Sequence, residues 1–140
     1  MEQIKNILHE RQCSCVVKGT AGITVCTQRG VADLYDLYTN RPEVLRGALI
    51  ADKVVGKGAA ALMALAGVRS VWADIISTPA LTLLREAGIP TDFMREVPYI
   101  INRSRTGRCP LETACDGLTS PEEIYPAITK FIAAMRHKSA

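Results

Sequence analysis

The sequence lacks three features that would assign it directly to a functional class: a strong net charge, a long apolar run and more than two histidines. Its 17 Lys and Arg against 14 Asp and Glu leave a net charge of +3, too small to indicate binding to a nucleic-acid polymer or a membrane surface. The longest apolar run, Ala59 to Val68, is too short to cross a bilayer. The histidines, His9 and His137, lie in predicted terminal helices, so no His-centred triad is predicted.

The N-terminal segment and the cysteines predict a cellular location. The first residues, MEQIKNILHERQ, are charged and amphipathic and contain no apolar signal core. Five cysteines without such a core indicate free thiols in a reducing cytoplasm rather than a disulfide framework. The 140 residues, 48% of them hydrophobic, predict one globular domain over 1–140. Because small cytoplasmic domains commonly self-associate, we also expect a homo-oligomer.

The stretch from Asp52 to Gly67 predicts the central element of the fold. Since no residue from Ala59 to Ala66 is polar, this stretch predicts a helix buried on all sides, with Asp52 as its N-cap and Gly67 at its end. The apolar, β-branched run Val68–Ile76 predicts a strand covered on both faces. Ser77 and Pro79 predict the start of the next helix.

The flanking segments complete an α/β pattern. Two β-rich segments, Cys13–Lys18 and Ile23–Thr27, predict a hairpin with a loop of four or five residues. Residues 43–50 fit either a helix or a strand. A strand is predicted at about Asp92–Val97, a short strand is possible over residues 99–101, and a capping box at Ser120 predicts the last helix. The alternation predicts a three-layer α/β/α sandwich with a mixed sheet.

Two sequence patterns suggest a phosphate-binding loop and a zinc site, but neither has the residues or the spacing that such a site requires. Gly56-Lys57-Gly58 lacks the earlier Gly and the following Ser or Thr of a phosphate-binding P-loop. Cys13 with Cys15, and Cys109 with Cys115, would supply four thiolates. Neither pair has the usual zinc-ligand spacing, and small cysteines are common in protein cores. No metal and no cofactor is predicted.

Basic residues define the candidate anion site. Lys53 and Lys57 are four residues apart at the predicted helix start, where cations oppose the helix dipole. Either carboxylates pair with them (Asp52, Asp74 or Glu112), or they face a cleft that binds an anion. The loop from Asn102 to Arg108 contains three arginines, whose guanidinium groups suit phosphate or carboxylate. The alternative is a solvated polar loop.

Cys109 precedes a predicted helix that begins at Pro110. The positive end of that helix, together with Arg103 or Arg108, would favour its thiolate. This makes Cys109 a possible nucleophile. No base is identifiable in the sequence, and a structural cysteine is the competing interpretation.

Three segments together, ADKVVGKGAAAL, VWADIISTPALTLLREAGI and VPYIINRSRTGRCPLE, resemble an uncharacterised bacterial and archaeal domain family with a cytidine-deaminase-like fold. The resemblance implies that fold, and it permits a comparison with zinc deaminases. Those enzymes carry H-x-E at the start of one helix and P-C-x-x-C at the start of the next. Here Asp52-Lys53-Val54 would occupy the first position, and Ala80 and Leu83 replace the two thiolates. The resemblance therefore implies a deaminase scaffold without a zinc site, so conventional zinc-dependent deamination is not expected.

These observations lead to one principal hypothesis about function. The domain binds a small anionic, nucleotide-like ligand at the starts of the helices at Asp52 and Ser77. The predicted ligand-binding residues are Asp52, Lys53, Lys57, Ser77, Asn102, Arg103, Cys109 and Glu112. The alternative is a structural or protein-interaction domain in which the same charges form internal salt bridges, and thiol chemistry at Cys109 is a third possibility. Whether the protein is an enzyme is left open.

Overall fold

A mixed five-stranded sheet forms the middle of the domain. The computed structural model describes residues 1–28, 31–101, 107 and 109–139, with side chains described as far as 137. The strands are β1 (Cys15–Gly19), β2 (Gly22–Cys26), β3 (Leu49–Val55), β4 (Ser70–Ser77) and β5 (Thr91–Val97). The helices are α1 (Glu2–Arg11), α2 (Ala32–Asn40), α3 (Pro42–Leu45), α4 (Lys57–Ala66), α5 (Thr78–Glu86), α6 (Pro110–Ala114) and α7 (Pro121–Ser139).

The strand order is β2-β1-β3-β4-β5. Strand β1 runs antiparallel to both of its neighbours, whereas β3, β4 and β5 are parallel. Because parallel neighbours cannot be joined by a tight turn, α4 connects β3 to β4, and α5 connects β4 to β5. The predicted α/β architecture with a mixed sheet is confirmed, and the packing agrees with a three-layer sandwich.

Two apolar clusters lie on opposite faces of this sheet. On one face, Ile4 and Leu8 of α1 pack against Val16 and Ala51. The other face carries the main core, in which α4 is buried between the sheet and α7 and touches α5 as well. Small side chains allow this close packing: a Cβ added at Gly58 would lie 2.8 Å from Leu111 Cδ2. No helix in the described part of the chain is long and apolar enough to cross a membrane.

The start of the central helix was predicted wrongly. Asp52 is not an N-cap but lies inside β3, and α4 begins five residues later at Lys57, with Gly56 as its N-cap. The reason is tertiary pairing, because β3 is hydrogen-bonded on both sides, to β1 and to β4. A strand covered on both faces shows no alternating pattern, so its charged residues resembled a helix start.

The remaining differences concern the connections. The hairpin turn contains only Thr20 and Ala21, since Gly19 and Gly22 are already paired. Residues 43–50 include both the end of α3 and the start of β3. Of residues 99–101, only Ile101 forms an isolated bridge, and no strand develops there. The predicted α5, β5 and α7 are confirmed.

Candidate functional site

The candidate site lies where β3 and β4 end and the helices that follow them begin. Strand β3 ends at Val55 and α4 starts at Lys57, while β4 ends at Ser77 and α5 starts at Thr78. In parallel α/β sheets, ligands bind beyond the carboxyl ends of the strands. The structure brings Lys57 and Glu112 into direct contact at this edge.

Glu112 is a buried carboxylate that caps the start of α4. Its Oε1 accepts a hydrogen bond from the Lys57 backbone N–H at 2.8 Å, and the residue is only 4% exposed. Gly56 makes this approach possible, because a Cβ at that position would lie 2.5 Å from the same oxygen. Negative charge is stabilised at a helix N-terminus, where backbone N–H groups are unpaired. The α4 N-terminus therefore already binds an anion supplied by the protein.

The Lys57 side chain binds the other end of α6. Its Nζ donates to the backbone carbonyl of Cys115 at 3.0 Å. Burial raises the pKa of the Cys115 thiol to about 11, against the opposing effect of the Lys57 charge. Lys57 thus joins α4 to α6 through both its backbone and its side chain.

Asp52 is a buried carboxyl group without a cationic partner among the described residues. It is 7% exposed, lies opposite Cys15 and Ala73 in the sheet, and accepts from the Val54 N–H at 3.2 Å. Burial raises its pKa from 3.8 to about 7, although the backbone hydrogen bonds of Val54 and Lys53 act in the opposite direction. A perturbed carboxyl of this kind is a functional-site candidate.

Lys53 does not face the same side of the sheet as Asp52, because neighbouring strand residues point to opposite faces. Its backbone N–H donates to Ser14 O at 3.1 Å. Within the described residues, neither Lys53 nor Lys57 forms an ion pair with Asp52, Asp74 or Glu112. The internal salt bridges considered from the sequence are therefore absent among the described residues. Instead, Lys57 Nζ donates to the Cys115 carbonyl, and the Lys57 backbone N–H donates to Glu112.

Ser77 is confirmed as the residue that starts α5. Its Oγ accepts from the Ala80 N–H at 3.2 Å, and the side chain is fully buried. A serine hydroxyl at this position satisfies one of the unpaired helical donors. In the structure, Ser77 therefore serves as the N-cap of α5.

Two residues that flank the arginine-containing loop, Ile100 and Cys109, are hydrogen-bonded to each other at this edge. The Cys109 N–H donates to Ile100 O at 2.8 Å, and Ile100 lies against Gly56. Asn102 and Arg103 lie outside the described residues, as do Arg105 and Arg108. Cys109 is half-buried and precedes α6, a helix of five residues.

The described residues contain no group of three or more His, Cys, Asp or Glu positioned to hold a metal ion. At the two helix starts compared with zinc deaminases, Lys57-Gly58-Ala59 begins α4, and Ala80 and Leu83 lie in α5. The sequence comparison had placed Asp52-Lys53-Val54 at the start of α4, but the structure has Lys57-Gly58-Ala59 at that position. None of these residues supplies a zinc ligand.

Sequence reasoning missed the role of Gly56. It identified Glu112 as a possible partner for a lysine side chain and as a ligand-binding residue, but not as the cap of α4, because the contact between Lys57 and Glu112 spans 55 residues. The available signal was local: Gly56 separates a β-branched pair from an alanine-rich helix, and glycine is acceptable as an N-cap.

Two comparisons with known proteins agree on one family. Residues 3–132 match the family described as TM1506, domain of unknown function DUF1893. The crystal structure of a DUF1893 family protein (TM1506) from Thermotoga maritima superimposes with a TM-score of 0.84. The two sequences are 25% identical over 92% of this chain and 87% of the other. A search of curated proteins finds no match. Because the family match covers nearly the whole chain, the protein belongs to the DUF1893 family.

Proposed function

We propose that the domain binds a small anionic, nucleotide-like ligand at the carboxyl edge of β3 and β4. The observation that supports this proposal is the carboxylate of Glu112 bound to the Lys57 N–H at 2.8 Å. The contact identifies the α4 N-terminus as a place where this fold accommodates negative charge. A ligand phosphate or carboxylate would use the same donor by displacing the Glu112 side chain.

The surroundings suit an anion in two further ways. Lys57 contributes a positive charge next to the donor, and its Nζ donates to a neutral carbonyl and forms no ion pair with a carboxylate among the described residues. Asp52, with a pKa of about 7, is partly protonated at neutral pH and would donate a hydrogen bond to the ligand. Asn102 and Arg103 complete the proposed site, and their inclusion rests on the sequence alone.

Removal of the internal anion tests the proposal. Glu112→Ala should bind inorganic phosphate and adenosine 5′-monophosphate more tightly than the wild-type protein, because the α4 N-terminus is vacated. Both ligands should also raise its thermal unfolding temperature. Glu122→Ala, an exposed residue of α7, is the matched control. If neither ligand stabilises Glu112→Ala at millimolar concentration, ligand binding at this edge is rejected.

A structural role is the second candidate, and the double attachment of Lys57 to α6 favours it. In this case Glu112 and Lys57 lock α6 onto the start of α4, and the edge has no ligand. Glu112→Ala would then lose stability without recovery by any added anion. The same titration therefore separates the two candidates.

Two broader features also belong to this proposal. The strand order, with neighbouring helices beginning at the carboxyl ends of β3 and β4, supports a cytidine-deaminase-like scaffold in which zinc chemistry is absent. We further propose a cytoplasmic homo-oligomer, supported by the free cysteines and the small size of the domain. Light scattering of the purified protein tests the assembly, since a monomer mass at micromolar concentration rejects it.

A further inference from the structure

A groove of about 440 Å³ opens beside the end of α4 that lies away from Glu112. Leu65 and Ala66, the last residues of α4, form part of its lining together with side chains from α2, α3 and α7. A helix of ten residues is roughly 15 Å long, so the groove is separate from the carboxyl edge of β3 and β4. Its volume lies within the range of small-molecule sites.

Two tyrosine rings that line the groove are held in fixed orientations. Tyr38 and Tyr125 meet edge to face, with centroids 5.2 Å apart and planes at 74°. Tyr125 also stacks on Tyr35 at 5.8 Å, and its hydroxyl is hydrogen-bonded to that of Thr39 at 3.2 Å. Because these contacts restrict ring rotation, a planar ligand would bind to a preorganised aromatic surface.

The polar groups of the groove favour a ligand with one anionic group. Neither the Arg46 guanidinium nor the Tyr38 hydroxyl has a hydrogen-bond or ion-pair partner within the described residues. The described lining residues include no Asp or Glu. The C-terminal end of α4 contributes a partial negative charge of about one half, which offsets part of the Arg46 charge. A ligand with one anionic group therefore fits better than a polyphosphate.

We propose that this groove binds a flat aromatic ring that carries one anionic group. The ring packs against Tyr38 and Tyr125 above the apolar end of α4. The anion binds the Arg46 guanidinium, which can donate two parallel hydrogen bonds to a phosphate or a carboxylate. The Tyr38 hydroxyl donates to the same anion or to a ring acceptor. The site is independent of the proposed function at Glu112.

Titration with fragments of one ligand tests the inference. Amide chemical shifts should report binding of adenosine 5′-monophosphate or 2-naphthoate in the groove. Adenosine, which has no anion, and ribose 5-phosphate, which has no aromatic ring, should each bind roughly tenfold more weakly. Binding of the nucleotide alone identifies phosphate as the preferred anion, and binding of the naphthoate alone identifies carboxylate. Absence of shifts at groove residues for both anionic aromatics at millimolar concentration overturns the proposal.

Substitutions separate the charge from the ring. Arg46→Gln should weaken binding of the anionic aromatic ligand roughly tenfold, while the weak binding of adenosine should be unchanged. Arg85→Gln, at another exposed arginine, on α5, is the matched control and should have no effect. Tyr38→Leu should weaken the binding of both the anionic aromatic ligand and adenosine, because it removes a ring contact. Equal losses for Arg46→Gln and Arg85→Gln would show non-specific attraction and reject the site. Glu112→Ala should leave groove binding unchanged.

Discussion

The Glu112 carboxylate and the Lys57 backbone amide, 55 residues apart in sequence, are joined by a 2.8 Å hydrogen bond at the start of α4. The bond connects the most buried helix of the domain to a helix of only five residues. Since α6 is too short to be stable alone, this contact and the bond from Lys57 Nζ to Cys115 O hold it in place.

The first prediction concerns this cap. Glu112→Ala should lower the free energy of unfolding by about 1–3 kcal/mol, because a buried helical N–H loses its acceptor. Glu112→Gln keeps an acceptor oxygen and should lose less. Urea unfolding measures both, with the exposed Glu122→Ala as the control. Equal stability of Glu112→Ala and the control would show that the bond contributes nothing.

The second prediction concerns the glycine beneath the cap. Gly56 has a φ of −96°, which any residue adopts, so close contacts alone disfavour a side chain: a Cβ would lie 2.5 Å from the Glu112 carboxylate and 3.3 Å from Ile100 Cγ1. Gly56→Ala should therefore destabilise the wild-type protein by about 1–3 kcal/mol. In the Glu112→Ala background the same substitution should cost clearly less, since the colliding oxygen is gone and only the 3.3 Å approach to Ile100 Cγ1 remains.

A double-mutant cycle measures this coupling between Gly56 and Glu112. Unfolding free energies of the wild type, the two single variants and the double variant are sufficient. If the two effects simply add, the close approach of Gly56 to the carboxylate is not what constrains this position.

Local signals predicted the elements whose ends are set by neighbouring residues. The Ser77 hydroxyl caps α5 through Ala80 N–H, and Ser120 caps α7 through Glu123 N–H. Both contacts span three residues, so the sequence contains all the information needed. The apolar run of β4 likewise predicted a strand covered on both faces.

The errors arise where distant segments decide the structure. Asp52 and Lys53 looked like a helix start, yet pairing of β3 with β1 and β4 makes them strand residues. The position of Glu112 depends on how α6 packs, and no local pattern reports it. The ligand-binding site stays a prediction, and the roles that it gave to Asp52 and Lys53 depended on a helix that begins later, at Lys57.

The third prediction concerns the five thiols. Cys109 is half-buried, whereas Cys13, Cys15, Cys26 and Cys115 are buried. The pKa of Cys15 is raised by the hydrogen bond with Cys26, by burial and by the charge of Asp52, and the pKa of Cys115 is raised to about 11 by burial. Iodoacetamide at pH 8 should therefore modify Cys109 first.

Peptide mass spectrometry after timed alkylation measures the order of modification. The four buried thiols should react at comparable rates only after unfolding in urea. The pH dependence of the Cys109 rate also tests thiol chemistry: an apparent pKa near ~8.5 is that of an ordinary cysteine. Earlier modification of any buried thiol would contradict the packing around it.

The last prediction concerns the buried carboxyl of Asp52. Its pKa is about 7 in the folded protein against 3.8 as the reference. Between these values the folded state binds more protons than the unfolded state. Stability should therefore fall by up to about 1.4 kcal/mol per pH unit as pH rises from ~4 to ~7, and this contribution should change little above pH 8.

Asp52→Asn should remove this dependence. The amide oxygen still accepts from the Val54 N–H, but no charge has to be buried at high pH. The variant should thus be more stable than the wild-type protein at pH 8, and the difference should shrink towards pH 4. Urea unfolding at several pH values measures it, with the exposed Asp92→Asn as the control. If wild type and Asp52→Asn show parallel stability profiles between pH 5 and 8, Asp52 does not titrate in this range, and its proposed role as a hydrogen-bond donor to a ligand is lost with it.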